Sequence, residues 1–185
     1  FGGAQELLFI EDPSYLTKTA NQSLPVGHIE PTAGHPPLWV LFLAFPVLIG
    51  LDSVFIQQIF SALIGSVGVL TIGWAAREVV GEKSGLIAAG IASIYAFLWL
   101  NDGLLMSETL VIPIVAIIIG LSARLYRKSS LYLVSAFAVI GGLAILTRAE
   151  LIIAIPFLAL PILRTSSETL KKRLIKYLLV GVIVI

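Results

Sequence analysis

Long apolar stretches alternate with short polar breaks along most of this chain, after a polar beginning over residues 1–35. The apolar stretches carry no amphipathic stripe, which is typical of helices wrapped by lipid and by one another. Isolated strands are not expected there, because their backbone groups would lack hydrogen-bond partners in lipid. We therefore predict an all-α fold, a polytopic bundle of transmembrane helices. The predicted helical stretches are 36–51, 57–76, 85–100, 104–123, 131–146, 149–163 and 177–185.

Composition strengthens this interpretation. The 185 residues are 58% hydrophobic and 12% charged, with a mean hydropathy of +1.01, whereas soluble domains are about 45–50% apolar and about 25% charged. A net charge of +1 gives no indication of nucleic-acid binding. The absence of Cys excludes disulfides and cysteine metal sites, and two His are too few for a histidine cluster. The high hydrophobic fraction and the low charged fraction indicate an integral membrane protein.

Basic residues indicate how the bundle is oriented. Ten of the twelve Lys and Arg residues fall in alternate breaks, at 77–84, 124–130 and 164–176. Cytoplasmic loops carry the excess of Lys and Arg, so we expect these three breaks on the cytoplasmic side. The breaks at 101–108 and 147–150 then face outward.

The stretch 36–51 is an exception among the predicted helices. A membrane span needs about 20 apolar residues, this stretch is shorter, and Pro46 interrupts it. Pro36 and Pro37 suit a helix start, where the missing N–H groups would be unpaired anyway. We predict a short, tilted or re-entrant helix at the outer face. Residues 1–52 then form part of a first extracytoplasmic loop, and residues 53–185 form the bundle.

Both ends of the sequence look cut. The chain begins at Phe1 and ends at Ile185 inside an apolar run. We therefore expect it to be a fragment of a larger polytopic protein.

Small residues recur at a spacing of four, at Ser61 and Gly65 and again at Gly85 and Ala89. Such pairs let helix backbones approach closely in lipid. We interpret both pairs as packing contacts, with a functional cavity as the alternative.

Two acidic residues of the second outer break are candidate catalytic groups. Glu108 lies between the apolar segments 104–106 and 110–112, and an ionisable group at such depth is by default a functional-site hypothesis. Its alternative role is to cap a helix start together with Ser107. Asp102 follows Asn101 in the same break, and its alternative is a loop-turn residue.

Three further residues are candidate binding groups. Arg148 has a guanidinium that forks well onto phosphate or carboxylate, and its alternative is a structural ion pair. Glu150 cannot share a helix face with Arg148 at a spacing of two, so each would need a separate partner. His35 precedes the double proline and is either a base or phosphate contact, or an interfacial hydrogen-bonding residue. Protease, hydrolase and phosphate-loop signatures of the HExxH, GxSxG and GxxxxGK[ST] types are absent.

An ordered set of motifs resembles a known family. HPPL at 35–38, GxxxGLIAA at 81–89, Glu108 after a small polar residue, and TRAE at 147–150 are together similar to membrane glycosyltransferases of superfamily C (GT-C). The resemblance is strongest to the bacterial branch related to protein O-mannosyltransferases and the lipid-A aminoarabinose transferase, and it covers nearly all of residues 30–163.

The resemblance implies a GT-C helix bundle in a bacterial plasma membrane. Such enzymes pass a hexose or pentose from a polyprenyl-phosphate donor to a glycan, lipid or protein acceptor on the extracytoplasmic side. Glu108 matches the acidic position of the second outer loop, the segment from His35 matches one near the donor phosphate, and Arg148 matches a basic position after a later helix. Only some branches require a divalent metal, so a metal is left open.

The family's principal catalytic acid follows a first membrane helix that this sequence lacks. The resemblance therefore implies that this acid lies upstream and that the 185 residues alone are inactive. A transporter or flippase fragment is the alternative, with the intramembrane acids and Arg148 on a substrate path. A non-catalytic scaffold is a third interpretation, which leaves the outer acidic residues without a role.

Overall fold

Apolar stretches become helices throughout the part of the chain that the computed structural model describes, residues 36–51, 53–128, 130–164 and 169–184. These residues contain no strand, which confirms the all-α prediction. The helices are α1 Pro37–Leu48, α2 Val54–Val79, α3 Glu82–Ile94, α4 Ala96–Gly103, α5 Glu108–Arg127, α6 Leu131–Thr147, α7 Leu151–Ala159, α8 Pro161–Arg164 and α9 Leu170–Val184.

Two of these helices, α2 with 26 residues and α5 with 20, are long and apolar enough to cross a membrane. The pair α3 and α4 forms a third candidate span, bent by 51° at Tyr95. The sequence predicted one continuous helical stretch over 85–100; the backbone at Tyr95 is instead extended. The helices α1, α6 and the α7–α8 pair are apolar but shorter.

Two helix boundaries differ from the predicted ones for identifiable reasons. Helix α5 begins at Glu108 and not at residue 104, because α4 runs on to Gly103 and a turn occupies the next four residues. Helix α9 begins at Leu170, well before residue 177. Its first turns hold Lys and Arg, which are good helix formers although they are not apolar.

Contacts between helix ends fix the direction of each helix. The start of α2 meets the start of α5 through Ser61 and Thr109, and the end of α2 meets the end of α5 through Glu78 and Arg124. These two helices are therefore parallel. The start of α5 also meets Arg148, directly after α6, so α5 and α6 are antiparallel.

The bundle thus has two chemically different ends. At the acidic end, where α2 and α5 begin, the described charged residues are Asp102, Glu108, Arg148 and Glu150. At the basic end, where α2 and α5 terminate, lie the breaks that contain ten of the twelve basic residues. Which end is cytoplasmic stays a prediction from the charge distribution.

Helix α1 begins at the double proline, as the sequence predicted. The carbonyl oxygen of Pro36 accepts hydrogen bonds from the backbone N–H groups of Trp39 and Val40, at 3.1 and 3.2 Å. Pro37 occupies the first turn, where no N–H partner is lost. The helix has only 12 residues and packs mainly against α6. Its length suits a short helix that does not cross; its position relative to the membrane stays a prediction.

The core lies where α5, α6, α7 and α9 meet. Its fully buried members include Leu125, Phe137 and Ile155. The outward faces are apolar as well: Leu63, Val67 and Leu70 share one face of α2 and are all exposed. An exposed apolar face of this extent is what lipid contact requires.

Helices α2 and α3 pack through small residues, as predicted for Gly85 and Ala89. A β-carbon built on Gly85 would lie 2.7 Å from the Cβ of Arg77 and 2.7 Å from the carbonyl oxygen of Gly73. A β-carbon on Gly73 would lie 2.8 Å from the Cβ of Ala89. The backbones therefore approach as closely as glycine allows.

The substitution Gly85→Ala should lower the free energy of unfolding by about 1–3 kcal/mol, because the added methyl meets backbone atoms that cannot move aside. Gly90 in the same helix has open space around its Cβ position, so Gly90→Ala should be neutral or stabilising by up to about 1 kcal/mol. Denaturant titration of both variants in detergent measures the difference. Equal stabilities would contradict close packing of α2 on α3.

Candidate functional site

The turn between α4 and α5 carries both acidic candidates, one on each side. Helix α4 closes with a Schellman motif, in which Met106 N–H bonds Asn101 C=O at 3.0 Å and Leu105 N–H bonds Asp102 C=O at 3.3 Å. Leu105 lies at the position usually taken by glycine and has a φ of 53°. A residue with a β-carbon is strained by about 1–2 kcal/mol in this left-handed region of backbone conformation, so surrounding contacts must hold the turn in place.

Asp102 is buried, with 6% of its surface exposed. Its carboxylate accepts a hydrogen bond from the hydroxyl of Thr109 at 2.8 Å. The hydroxyl of Ser61 lies 3.4 Å from that of Thr109 and donates to it. The three side chains form a chain of hydrogen bonds from α2 through α5 to α4.

Gly65 makes room for this carboxylate. A β-carbon at Gly65 would lie only 1.7 Å from Oδ2 of Asp102. Two turns earlier on α2, the amide nitrogen of Gln58 donates to the carbonyl oxygen of Gly103 at 2.9 Å. Positions 58, 61 and 65 share one face of α2, and this face anchors the end of α4.

Glu108 and Arg148 form an ion pair at the acidic end. The hydroxyl of Ser107 also lies 3.4 Å from Oε2 of Glu108. Both charged side chains are partly open, with 35% and 40% of their surface exposed. Arg148 thus pairs with Glu108 and not with Glu150, in agreement with the spacing argument.

Helix ends explain the positions of the two charges. Glu108 is the first residue of α5, and Arg148 directly follows α6. A helix N-terminus favours an anion and a helix C-terminus favours a cation. The antiparallel arrangement of α5 and α6 brings these two ends together, so the ion pair joins the start of α5 to the end of α6.

Two further predicted site residues are Glu150 and His35. Glu150 is exposed, and within the described part of the chain no ion pair involves it. His35 lies outside the described residues. The catalytic or binding role of each candidate stays a prediction.

A second polar cluster lies at the basic end, and the sequence analysis missed it. Glu78, buried near the end of α2, forms ion pairs with Arg124, at 2.7 Å, and with Arg127. The Arg124 guanidinium also stands 5.1 Å from the ring centre of Trp74. The signal present in the sequence was a glutamate directly after Arg77, at the end of a long apolar stretch.

No metal site is evident among residues 36–51, 53–128, 130–164 and 169–184. In these ranges no three His, Asp or Glu side chains converge.

Comparison with known families identifies a relationship. The family model described as dolichyl-phosphate-mannose-protein mannosyltransferase matches residues 34–185, which include all the described helices. No curated protein and no solved structure matches the chain. The resemblance found from motifs is thus confirmed at the level of the family.

The fit of Asp102 against α2 can be tested through Gly65. Gly65→Ala should cost about 1–3 kcal/mol of stability, because its methyl occupies the space of the carboxylate. Asp102→Ala alone should cost about 1–3 kcal/mol, because it removes the acceptor of Thr109. The double variant should lose less than the sum, by about 1 kcal/mol or more, because the clash is gone.

The control is Gly68→Ala on the same helix, since a β-carbon there makes only ordinary contacts of 3.6 Å with Ile112. Unfolding titrations of the four variants measure the coupling. Strict additivity would contradict direct packing of Asp102 on Gly65.

Proposed function

The chain belongs to the dolichyl-phosphate-mannose-protein mannosyltransferase family, and we propose that its acidic end binds the donor phosphate and the acceptor during sugar transfer. The family and the apolar helices support a membrane glycosyltransferase that uses a lipid-linked sugar donor. The finer proposal is a polyprenyl-phosphate donor, an extracytoplasmic site, and a multi-pass protein of a bacterial plasma membrane.

The Glu108–Arg148 pair is the observation on which the proposal rests. It is an ion pair at the acidic end of the helix bundle, and solvent reaches both partners. An arginine offers five donors in a planar fork that fits phosphate oxygens. A partly open guanidinium near the membrane boundary suits a phosphate whose lipid tail stays in the bilayer.

In this proposal Arg148 exchanges partners when the donor binds. The donor phosphate takes the guanidinium, and the Glu108 carboxylate is released from its ion pair. Binding the donor thus prepares a free carboxylate beside the acceptor. An enzyme that frees its base only when the donor is present avoids unproductive chemistry.

The transfer step follows from these roles. The acceptor hydroxyl oxygen forms a bond to the anomeric carbon, while the bond from that carbon to the lipid phosphate breaks and its electron pair leaves on the phosphate. This proposal differs from the expectation drawn from the resemblance, because it assigns the acceptor proton to Glu108 and not to a separate catalytic acid. Arg148 stabilises the negative charge that develops on the departing phosphate.

The other candidates take supporting roles in the proposal. Asp102 is enclosed by α2 and α5, so we assign it to positioning the turn that carries Glu108, in place of direct catalysis. His35 precedes the double proline in the sequence and is proposed as a second phosphate contact. The exposed Glu150 is proposed to bind hydroxyls of the sugar or the acceptor. The proposal leaves open whether the sugar is a hexose or a pentose.

A charge swap separates a catalytic pair from a structural one. Glu108→Gln should lower sugar transfer by about 10²–10⁴-fold, as expected for loss of a general base. Arg148→Lys should raise the donor KM, because lysine has no planar guanidinium to bind two phosphate oxygens.

The double variant Glu108→Arg with Arg148→Glu should recover stability but not transfer, since the cation then stands on α5. Transfer from polyprenyl-phosphate sugar by full-length protein in membranes is the measurement.

The matched control is Glu82→Gln, which removes an exposed first-turn glutamate of α3 at the basic end and should transfer sugar normally. If the charge-swapped protein regains full transfer, the pair is structural and the proposed roles are wrong. If transfer never occurs while the lipid-linked sugar crosses the bilayer, the flippase alternative is correct.

A further inference from the structure

The basic end carries more positive charge than its buried glutamate neutralises. Glu78 is the buried acid of this end, and Arg124 and Arg127 already pair with it. Three exposed lysines, Lys128, Lys171 and Lys172, make no ion pair with any carboxylate of the described residues. Their charge therefore faces the surroundings of the bundle.

Contacts place the two helix ends that carry these lysines beside the short helix α8. The Arg164 guanidinium, which ends α8, lies 5.1 Å from the ring centre of Tyr126, two residues before Lys128. On the other side, Arg173 donates from Nη1 to the carbonyl oxygen of Leu163 at 3.2 Å. The first turn of α9 and the end of α5 therefore both adjoin α8.

Exposed apolar and aromatic side chains accompany the lysines. Tyr126 and Tyr132 flank Lys128 and expose 51% and 80% of their surface. Leu170 and Leu174 flank the other two lysines and are exposed as well. Tyr at a helix end beside lysines is the arrangement found at the boundary between membrane and water. The lysine stems can lie along such apolar surface while their charged ends reach the headgroups.

We propose that Lys128, Lys171 and Lys172 form a binding site for the headgroups of anionic phospholipids. The phosphodiester supplies the negative charge, and the acyl chains cover the exposed leucines and tyrosines. Soluble phosphate has no acyl chain and would leave that apolar surface uncovered. The site lies at the end of the bundle opposite Glu108 and does not depend on the proposed function.

Lipid titration of the purified full-length protein in detergent tests the proposal. Phosphatidylglycerol should raise the thermal unfolding midpoint, and phosphatidylcholine or inorganic phosphate at the same concentration should not. In K128Q/K171Q/K172Q the phosphatidylglycerol concentration for half the effect should rise on the order of 100-fold, about fivefold for each lysine lost. The matched control K128R/K171R/K172R keeps the charge and should respond like the native protein.

A native response from the glutamine variant would overturn the proposal, as would equal effects of the two lipids. Should the glutamine variant fail to insert, a salt titration of the native protein decides. The phosphatidylglycerol effect should weaken steeply as NaCl rises, because the lysines are exposed. An effect independent of salt would also overturn the proposal.

Discussion

The burial of Asp102 against the backbone of α2 is the contact on which the acidic end depends. A carboxylate removed from water must be hydrogen-bonded, and Thr109 supplies the bond. Gly65 supplies the space, so α4 reaches α2 more closely than any side chain would allow. The strained turn at Leu105 is held between these contacts. Three helices thus meet at one polar junction inside an otherwise apolar bundle.

The opposite end is held by a different device. Glu78 and two arginines join α2 to α5 through ion pairs, whereas at the acidic end the junction is a hydrogen-bond chain from Ser61 through Thr109 to the Asp102 carboxylate. Removing both arginines would be costly, because it would leave the buried Glu78 carboxylate unpaired. Two polar junctions about a helix length apart fix both the register and the rotation of α2 against α5. This long parallel pair is the frame to which the shorter helices attach.

Hydropathy was enough to predict the helices but not their interruptions. Both arms of the bend at Tyr95 are apolar, so no composition change marks it. The first turns of α9 are basic and were predicted as a loop, because hydropathy does not detect Lys and Arg. These residues nevertheless have a high helix propensity. The local sequence also could not show whether Asp102 is solvent-exposed in a loop or buried. Its burial depends on the space left by Gly65, 37 positions earlier. Glu108 and Arg148 were both identified as candidates, but their pairing requires the antiparallel fold of α5 and α6.

Helix geometry connects the buried junction to the accessible ion pair. Glu108 and Thr109 are consecutive residues of α5, and consecutive side chains on a helix point about 100° apart. Once Thr109 is bonded to Asp102, the rotation of α5 is set and Glu108 is aimed at Arg148 and away from α2. A charge at a helix start could otherwise turn toward lipid or toward the next helix at little cost. The buried hydroxyl therefore determines the direction of the exposed carboxylate, which explains why an inaccessible aspartate lies so close to the proposed site.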